Sequence, residues 1–312
     1  MGGRAISSDE MRSFYSERSY VSTASYDTQV FKERKMVPEF DPSKMKLPRE
    51  ALDSALSPHS RGIILAEDVT GSMGRYLLSL FKEDFPRLIT KIYDSVSYNP
   101  HVMFMGVGDV AEDDEAPLQV TQFETDLRML EQLEKIYIEK GGGSNPYESY
   151  ILPWYFAGKH VKMDCWEKRG EKGFLFTFGD EEPTPRLTAR EIKEVFGDND
   201  KLNGSFITGE DCLEMASEKF HCYHIILGSR DVEGMWRDLL GSHVCVHSDH
   251  SCLPALIVSI LKMYDGKSKT EALDGIQDIS KRRVVMAALA KHEEHVKDET
   301  KPNDGDADFE VL

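Results

Sequence analysis

Nowhere in this 312-residue chain does an apolar run approach the ~20 residues of a bilayer-spanning helix. The first residues, Met-Gly-Gly-Arg-Ala-Ile-Ser-Ser, lack the apolar stretch of a signal peptide, and Ile6 stands where a myristoylation signal wants Ser or Thr. Neither a membrane nor a secretory address is expected. Cysteine is scarce: five residues, an odd number without paired spacing, fit reduced thiols in a cytoplasmic protein and exclude a disulfide framework. Positive charge is also short. Against 55 Asp and Glu stand 38 Lys and Arg, for a net charge of −17. That balance disfavours nucleic-acid backbones and anionic membranes as partners, leaving room only for a local basic patch. What is present, 40% hydrophobic and 30% charged residues, suits a soluble globular protein of one large or two small domains.

Residues 1–60 are polar and without sustained periodicity, and read as an extension that packs on or wraps the main domain. From 61 to 265 apolar runs alternate with amphipathic stretches. Ile63 to Ala66, His101 to Val107, Leu118 to Phe123, Phe174 to Phe178, His224 to Leu227 and Val244 to Val246 read as strands, Ile63 to Ala66 as a central one buried on both faces and Phe174 to Phe178 as another buried one. Helical spacing runs from Tyr76 to Ile92 with a kink expected at Pro86. It recurs over Leu127–Ile138 up to the glycines 141–143, and over Tyr150–Phe156, Thr188–Phe196, Cys212–Phe220 and Leu253–Tyr264. Residues 158–172 read as an inserted surface loop. The alternation implies an α/β fold with a doubly wound, mostly parallel sheet and helices on both faces. Residues 266–312 form the remainder, a weak helix over 276–290 and then an acidic tail expected to be disordered.

The most informative stretch is Gly62 to Met73, where an apolar strand runs into Asp68, Thr70 and Ser72 at two-residue spacing. Carboxylate and hydroxyl oxygens on a rigid support are what Mg²⁺ or Mn²⁺ prefers. In an open α/β sheet ligands gather at the carboxyl ends of the strands. Three more segments carry oxygen donors toward such an edge: Gly108-Asp109, the loop Gly141 to Ser149, and Gly179-Asp180-Glu181-Glu182. Asp, Thr and Ser are also common helix caps, so the first motif alone fits a plain helix start equally well. The glycines can simply end a helix, and Glu148 can be a first-turn acid that suits the helix dipole.

Asp-x-Thr-x-Ser after the first strand, a Gly-Gly loop with hydroxyls, then a strand-terminal Asp resembles the metal-ion-dependent adhesion site of von Willebrand factor A domains, in their intracellular stand-alone form. The resemblance implies a Rossmann-like fold over roughly 61–265 and a divalent cation, Mg²⁺ (or Mn²⁺ or Ca²⁺). It implies ligands at Asp68, Thr70, Ser72, Ser144, Glu148 and Asp180, the choice among Ser144, Asn145 and Glu148 staying open. It also implies metal-dependent protein–protein interaction rather than catalysis, in which a partner's Asp or Glu completes the coordination. Stand-alone members of that family often serve AAA-type ATPases, so such an ATPase is the expected partner class.

An enzyme alternative starts from the same residues. Asp-Val-Thr-Gly-Ser is similar to the nucleophile motif of haloacid-dehalogenase-type phosphotransferases, in which Asp68 would attack phosphorus and Asp180 help hold Mg²⁺. That family needs a neutralising Lys before the acidic motif, and only Lys168 and Lys172 offer themselves. A late cluster, His221, Cys222, His224, His243, Cys245, His247, His250 and Cys252, has the ligand types for Zn²⁺ but no Cys-x-x-Cys, and reads more simply as core. The acidic run Glu112 to Glu115 reads as a solvated loop.

Overall fold

Six strands join in one sheet, and their order decides where polar residues can gather. The structure is a computed structural model describing residues 5–17, 29–71, 73, 79–80, 84–112, 114–139, 145–228, 231–247, 250–290 and 292. In chain order its elements begin with helix α1 (Ser8–Ser16), strand β1 (Arg49–Ala51), strand β2 (Ser60–Asp68), helix α2 (Phe85–Ser95) and strand β3 (Asn99–Val107). Strand β4 (Leu118–Val120), helix α3 (Arg128–Leu133), strand β5 (Tyr147–Glu148), helix α4 (Ile151–His160), strand β6 (Val161–Met163) and helix α5 (Asp164–Arg169) follow. Next come β7 (Gly173–Gly179), β8 (Glu182–Pro183), β9 (Arg186–Thr188), α6 (Ala189–Phe196), β10 (Phe206–Thr208), α7 (Gly209–Lys219) and β11 (Phe220–Leu227). The last are α8 (Glu233–Leu240), β12 (Val244–His247), α9 (Leu253–Tyr264), α10 (Lys269–Leu273) and α11 (Ile279–Ala288).

The main sheet runs β12-β11-β7-β2-β3-β4, parallel throughout except for the edge strand β4, which is antiparallel to β3. The chain enters at the centre with β2, moves outward through β3 to β4, then returns to the far side of β2 and continues β7, β11, β12. Counted within the sheet, this is the 3-2-1-4-5-6 order of doubly wound folds, with its switch point between the first strand and the fourth. Those two strands are β2 and β7.

Successive residues of β2 enter different cores, which explains its unbroken apolar pattern. Ile63 and Leu65 pack with Leu88, Ile89 and Ile92 of α2 and with the face of α9, whereas Ile64 and Ala66 pack with Ile151, Trp154 and Tyr155 of α4. The first of these cores also takes in Ile6, Met11 and Phe14 around α1, and Ile6 N–H bonds the Thr125 carbonyl at 2.9 Å. Pro86 falls in the first turn of α2, where a missing N–H breaks no helical bond. Its expected upstream half lies largely outside the described residues.

Two expectations are corrected. Residues 158–172 are not an inserted loop: they complete α4, form β6 in parallel pairing with β1, and continue as α5. Their charges misled because they are the outer half of a packed segment whose Val161, Met163 and Cys165 are buried. Arg169 donates to Asp53 (2.8 Å) and to the Ser60 carbonyl (2.6 Å), fastening the segment to the start of β2. The helix expected over 127–138 stops at Leu133, and Ile136 and Ile138 are buried from the turn beyond it.

Gly173 opens β7 between two strands that leave no room for a side chain. A Cβ there would stand 2.7 Å from the Gly62 carbonyl oxygen, a backbone atom that cannot swing aside. Gly173→Ala is therefore expected to cost about 1–3 kcal/mol, the range for overpacking a core, read from the urea midpoint with an unchanged slope.

Candidate metal centre

A carboxylate at the end of a strand buried on both faces has no water to solvate it. Asp68, fully buried, is instead held by three donors. Thr70 gives its backbone N–H (2.8 Å) and its hydroxyl (2.6 Å) to Oδ1, and the Tyr150 hydroxyl gives a bond of 2.8 Å to Oδ2. Burial nonetheless outweighs these bonds and, with Asp180 adding like charge, pushes the Asp68 carboxyl up to about 7.

Beside it lies Glu148, 6% exposed, whose carboxylate is linked to Thr70 and leaves Oε2 with no hydrogen-bond partner. Burial first, then the charges of Asp68 and Asp109, push it up to about 10. Glu148 is placed by backbone: β5 pairs in parallel with β8, and the Glu148 carbonyl accepts from Thr184 N–H (2.9 Å) and its hydroxyl (3.0 Å). The strand after Asp180 is thus tied to the loop that carries Glu148. On its other side the Glu181 carbonyl accepts from the Trp236 indole at 3.0 Å.

The end of β3 contributes Asp109, 1% exposed. Its Oδ1 accepts from Ala111 N–H (2.9 Å) and Ser149 Oγ (3.2 Å), and its Oδ2 accepts from Asn145 Nδ2 (2.6 Å). Asp114 Oδ2 accepts the Asp109 N–H at 2.8 Å, so one member of the run expected to be merely solvated braces the site. Glu67, one residue before Asp68 and 1% exposed, has both carboxylate oxygens without partners. Burial, then Asp68 and Asp180, raise it well above the usual carboxylate range.

Of the expected ligands, Asp68, Thr70 and Glu148 are brought together, and Asp180 lies near enough to act electrostatically on Asp68 and Glu67. Ser72 and Ser144 lie outside the described residues. Among the described residues no group of three or more His, Cys, Asp or Glu side chains is placed so that it could hold a metal ion. The sequence pattern places Asp109 among the oxygen donors of this edge without making it a ligand, and it gives no sign of Glu67 or Tyr150. The Tyr150 bond spans 82 positions and has no local signature.

The lysines needed by a phosphotransferase sit at the wrong end of the sheet. Lys168 pairs with Asp164 at 2.7 Å, and the Lys172 carbonyl accepts from Arg61, near the start of β2. Eight residues of strand, about 26 Å at ~3.3 Å per residue, separate that end from Asp68. In the late His and Cys cluster, Cys222, Cys245 and Cys252 are buried, and burial pushes the first two thiols up to about 12, away from the thiolate that zinc binds. Cys245 Sγ lies 3.8 Å from His292 Nε2, and His224 stacks on Trp236 at 3.3 Å. The side chains of His247 and His250 lie outside the described residues.

No protein-family model matches the chain, and no curated protein does. Among solved structures it is similar to the pilus adhesin SpaC from Lactobacillus rhamnosus GG in its open conformation. That pair shares 10% identity over 78% of this chain and 30% of the other, at a TM-score of 0.39. It is also similar to a von Willebrand factor type A protein from Catenulispora acidiphila, with 12% identity over 72% of this chain and 49% of the other, at a TM-score of 0.36. The chain spans about a third to a half of the length of these structures. The fold is a mostly parallel, doubly wound α/β sheet. That statement rests on the chain's own strand order.

Two tests follow. Asp68 and Glu148 keep their protons to higher pH when folded than at their ordinary values of 3.8 and 4.5. Over that interval the folded chain binds more protons than the unfolded one, so stability falls as pH rises. With EDTA present, Tm should decline between about pH 5 and about pH 8, and decline less in Glu148→Gln. Tyr150→Phe removes a buried bond to a carboxylate and should cost about 1.5–3 kcal/mol by urea titration. Gly179→Ala should do at least the same damage, because its Cβ would collide with the Tyr150 hydroxyl.

Proposed function

We propose that the chain is a metal-dependent interaction module of von Willebrand factor A type, binding a partner protein's Asp or Glu through a divalent cation, Mg²⁺ (or Mn²⁺ or Ca²⁺). The observation that carries the reading is Glu148 Oε2, a buried oxygen with no partner, beside the buried carboxylate of Asp68. Carboxylates crowded out of water in this way need a proton or a cation. Their position, at the carboxyl end of β2 beside the switch point, is where doubly wound sheets bind ligands.

The donor set suits a hard cation: Asp68, Thr70 and Glu148 would hold it, with Ser72, Ser144 and Asp180 as the remaining ligands that the resemblance assigns. When bound, the cation supplies positive charge and an open position for one more oxygen. The chain's own residues do the rest. Thr70 and Tyr150 fix the orientation of Asp68, Asn145 and Ser149 hold Asp109, and the pairing of β5 with β8 keeps Glu148 against the strand end. No covalent step is required of any of them. An AAA-type ATPase as the partner, within an assembly, is the part of the proposal drawn from the motif resemblance alone.

Mg²⁺ at about 100 times its Kd should stabilise the folded chain by about 2.7 kcal/mol, read as a rise in Tm that EDTA reverses. The rise should grow with pH, because the ligands must shed their protons. Asp68→Ala should abolish both the shift and the metal-dependent pull-down of a partner. A shift that survives in Asp68→Ala, or a stoichiometric Zn²⁺ content without any Mg²⁺ effect, overturns the reading.

A further inference from the structure

We propose that the partner surface meeting this site is dipolar: one Asp or Glu set among Lys or Arg residues, the basic side chains lying over Tyr147 and against Glu181 and Glu182. The inference rests on the cation-bridging reading above and adds the partner's chemistry to it.

Among the described residues, this edge of the sheet gathers more carboxylates than one divalent cation cancels. Asp68, Asp109, Asp114, Glu148, Glu181 and Glu182 all belong to it, and among the described residues none of the six forms an ion pair with Lys or Arg. Elsewhere the chain does pair its acids: Asp53, Glu124, Asp164 and Asp200 each have a cationic partner. Glu148 makes this edge more than an acidic surface, because its buried Oε2 has no partner and so marks where a positive charge belongs. Two charges answered by the cation still leave Asp109 and Asp114 on one side and Glu181 and Glu182 on the other. A carboxylate arriving alone would approach against that residual field, whereas flanking cations reverse its sign.

The surface gives those cations a place. Tyr147 is 36% exposed and stands in register with Glu182 across the β5–β8 pair. A guanidinium or ammonium over its ring would gain the attraction of the aromatic face and of the neighbouring carboxylate together. Glu181, whose carbonyl is held by the Trp236 indole, sits beside Glu182 on the same segment and has no Lys or Arg ion pair among the described residues. Screening limits the reach of these charges to about 8 Å at physiological salt. At ~3.3 Å per residue of extended chain, the basic side chains must lie within about two or three residues of the partner's acid.

The test uses an array of short peptides with a fixed central Asp and randomised flanks, probed with the full chain in Mg²⁺ and in EDTA. Expected is Mg²⁺-dependent capture enriched about tenfold in Lys and Arg within three positions of the Asp, a size typical of steering charges. The double variant Glu181→Gln, Glu182→Gln should lose that enrichment while keeping the wild-type Mg²⁺ thermal shift, which shows that it folds and binds the cation. Tyr147→Ala should weaken capture of Arg-flanked peptides most. Mg²⁺-dependent capture without basic enrichment overturns this inference and leaves the cation reading standing. Capture of basic peptides that persists in EDTA, or without the central Asp, also overturns it, since the edge would then be a plain electrostatic patch. No Mg²⁺-dependent capture of any Asp peptide, together with no Mg²⁺ thermal shift, overturns both.

Discussion

Placing Asp68 at the end of a strand covered on both faces sets the conditions that the rest of the edge must meet. The central position of β2 gives the fold its two cores, and the same position denies the terminal carboxylate any water. Three donors from Thr70 and Tyr150 are recruited to compensate, and they fall short, because burial costs the carboxylate more than they return and Asp180 adds like charge. A site built only for stability would have set a Lys or Arg among these acids, or an apolar side chain in place of one of them. The buried acids and the unpartnered Glu148 Oε2 are the features to which the proposed cation answers.

The topology explains why the acids come from four distant stretches of chain. β2, β3 and β7 are adjacent and parallel, so their carboxyl ends share one edge, where Asp68 closes β2 and Asp109 and Asp180 lie just past β3 and β7. Glu148 reaches the edge differently, through the short pairing of β5 with β8. Trp236, stacked on His224 and bonded to the Glu181 carbonyl, ties α8 to the segment that follows Asp180. The polar site is therefore backed by an aromatic cluster of Tyr150, Trp154, His224 and Trp236 on one face of the sheet.

Much of the sheet was legible from local pattern, because a strand buried on both faces writes a continuous apolar run: Ile63–Ala66 and Phe174–Phe178 are such runs. Asp68, Thr70 and Glu148 were legible because their spacing and their neighbours are local. What escaped depends on pairing across the sequence. Residues 158–172 look like a loop until β1 supplies a partner for β6, and Tyr150 looks like one more apolar helix residue until Asp68 arrives beneath it. Glu67 escaped because an acid next to a motif acid reads as ordinary surface charge, and only the sheet shows it to be sealed inside.

The pairing of β5 with β8 has a consequence for recognition. Two residues a side is the least a ladder can be, yet with Thr184 doubly bonded to the Glu148 carbonyl and Trp236 gripping Glu181 it joins two loops into one plate. Separate loops would each have to be ordered when a partner arrived, at about 0.5–1.5 kcal/mol for every side chain immobilised. A plate already ordered within the free protein spares most of that loss, so modest contacts can give useful affinity. The same bonds couple both segments to α8, so a change in the position of α8 would be felt by the acids of both.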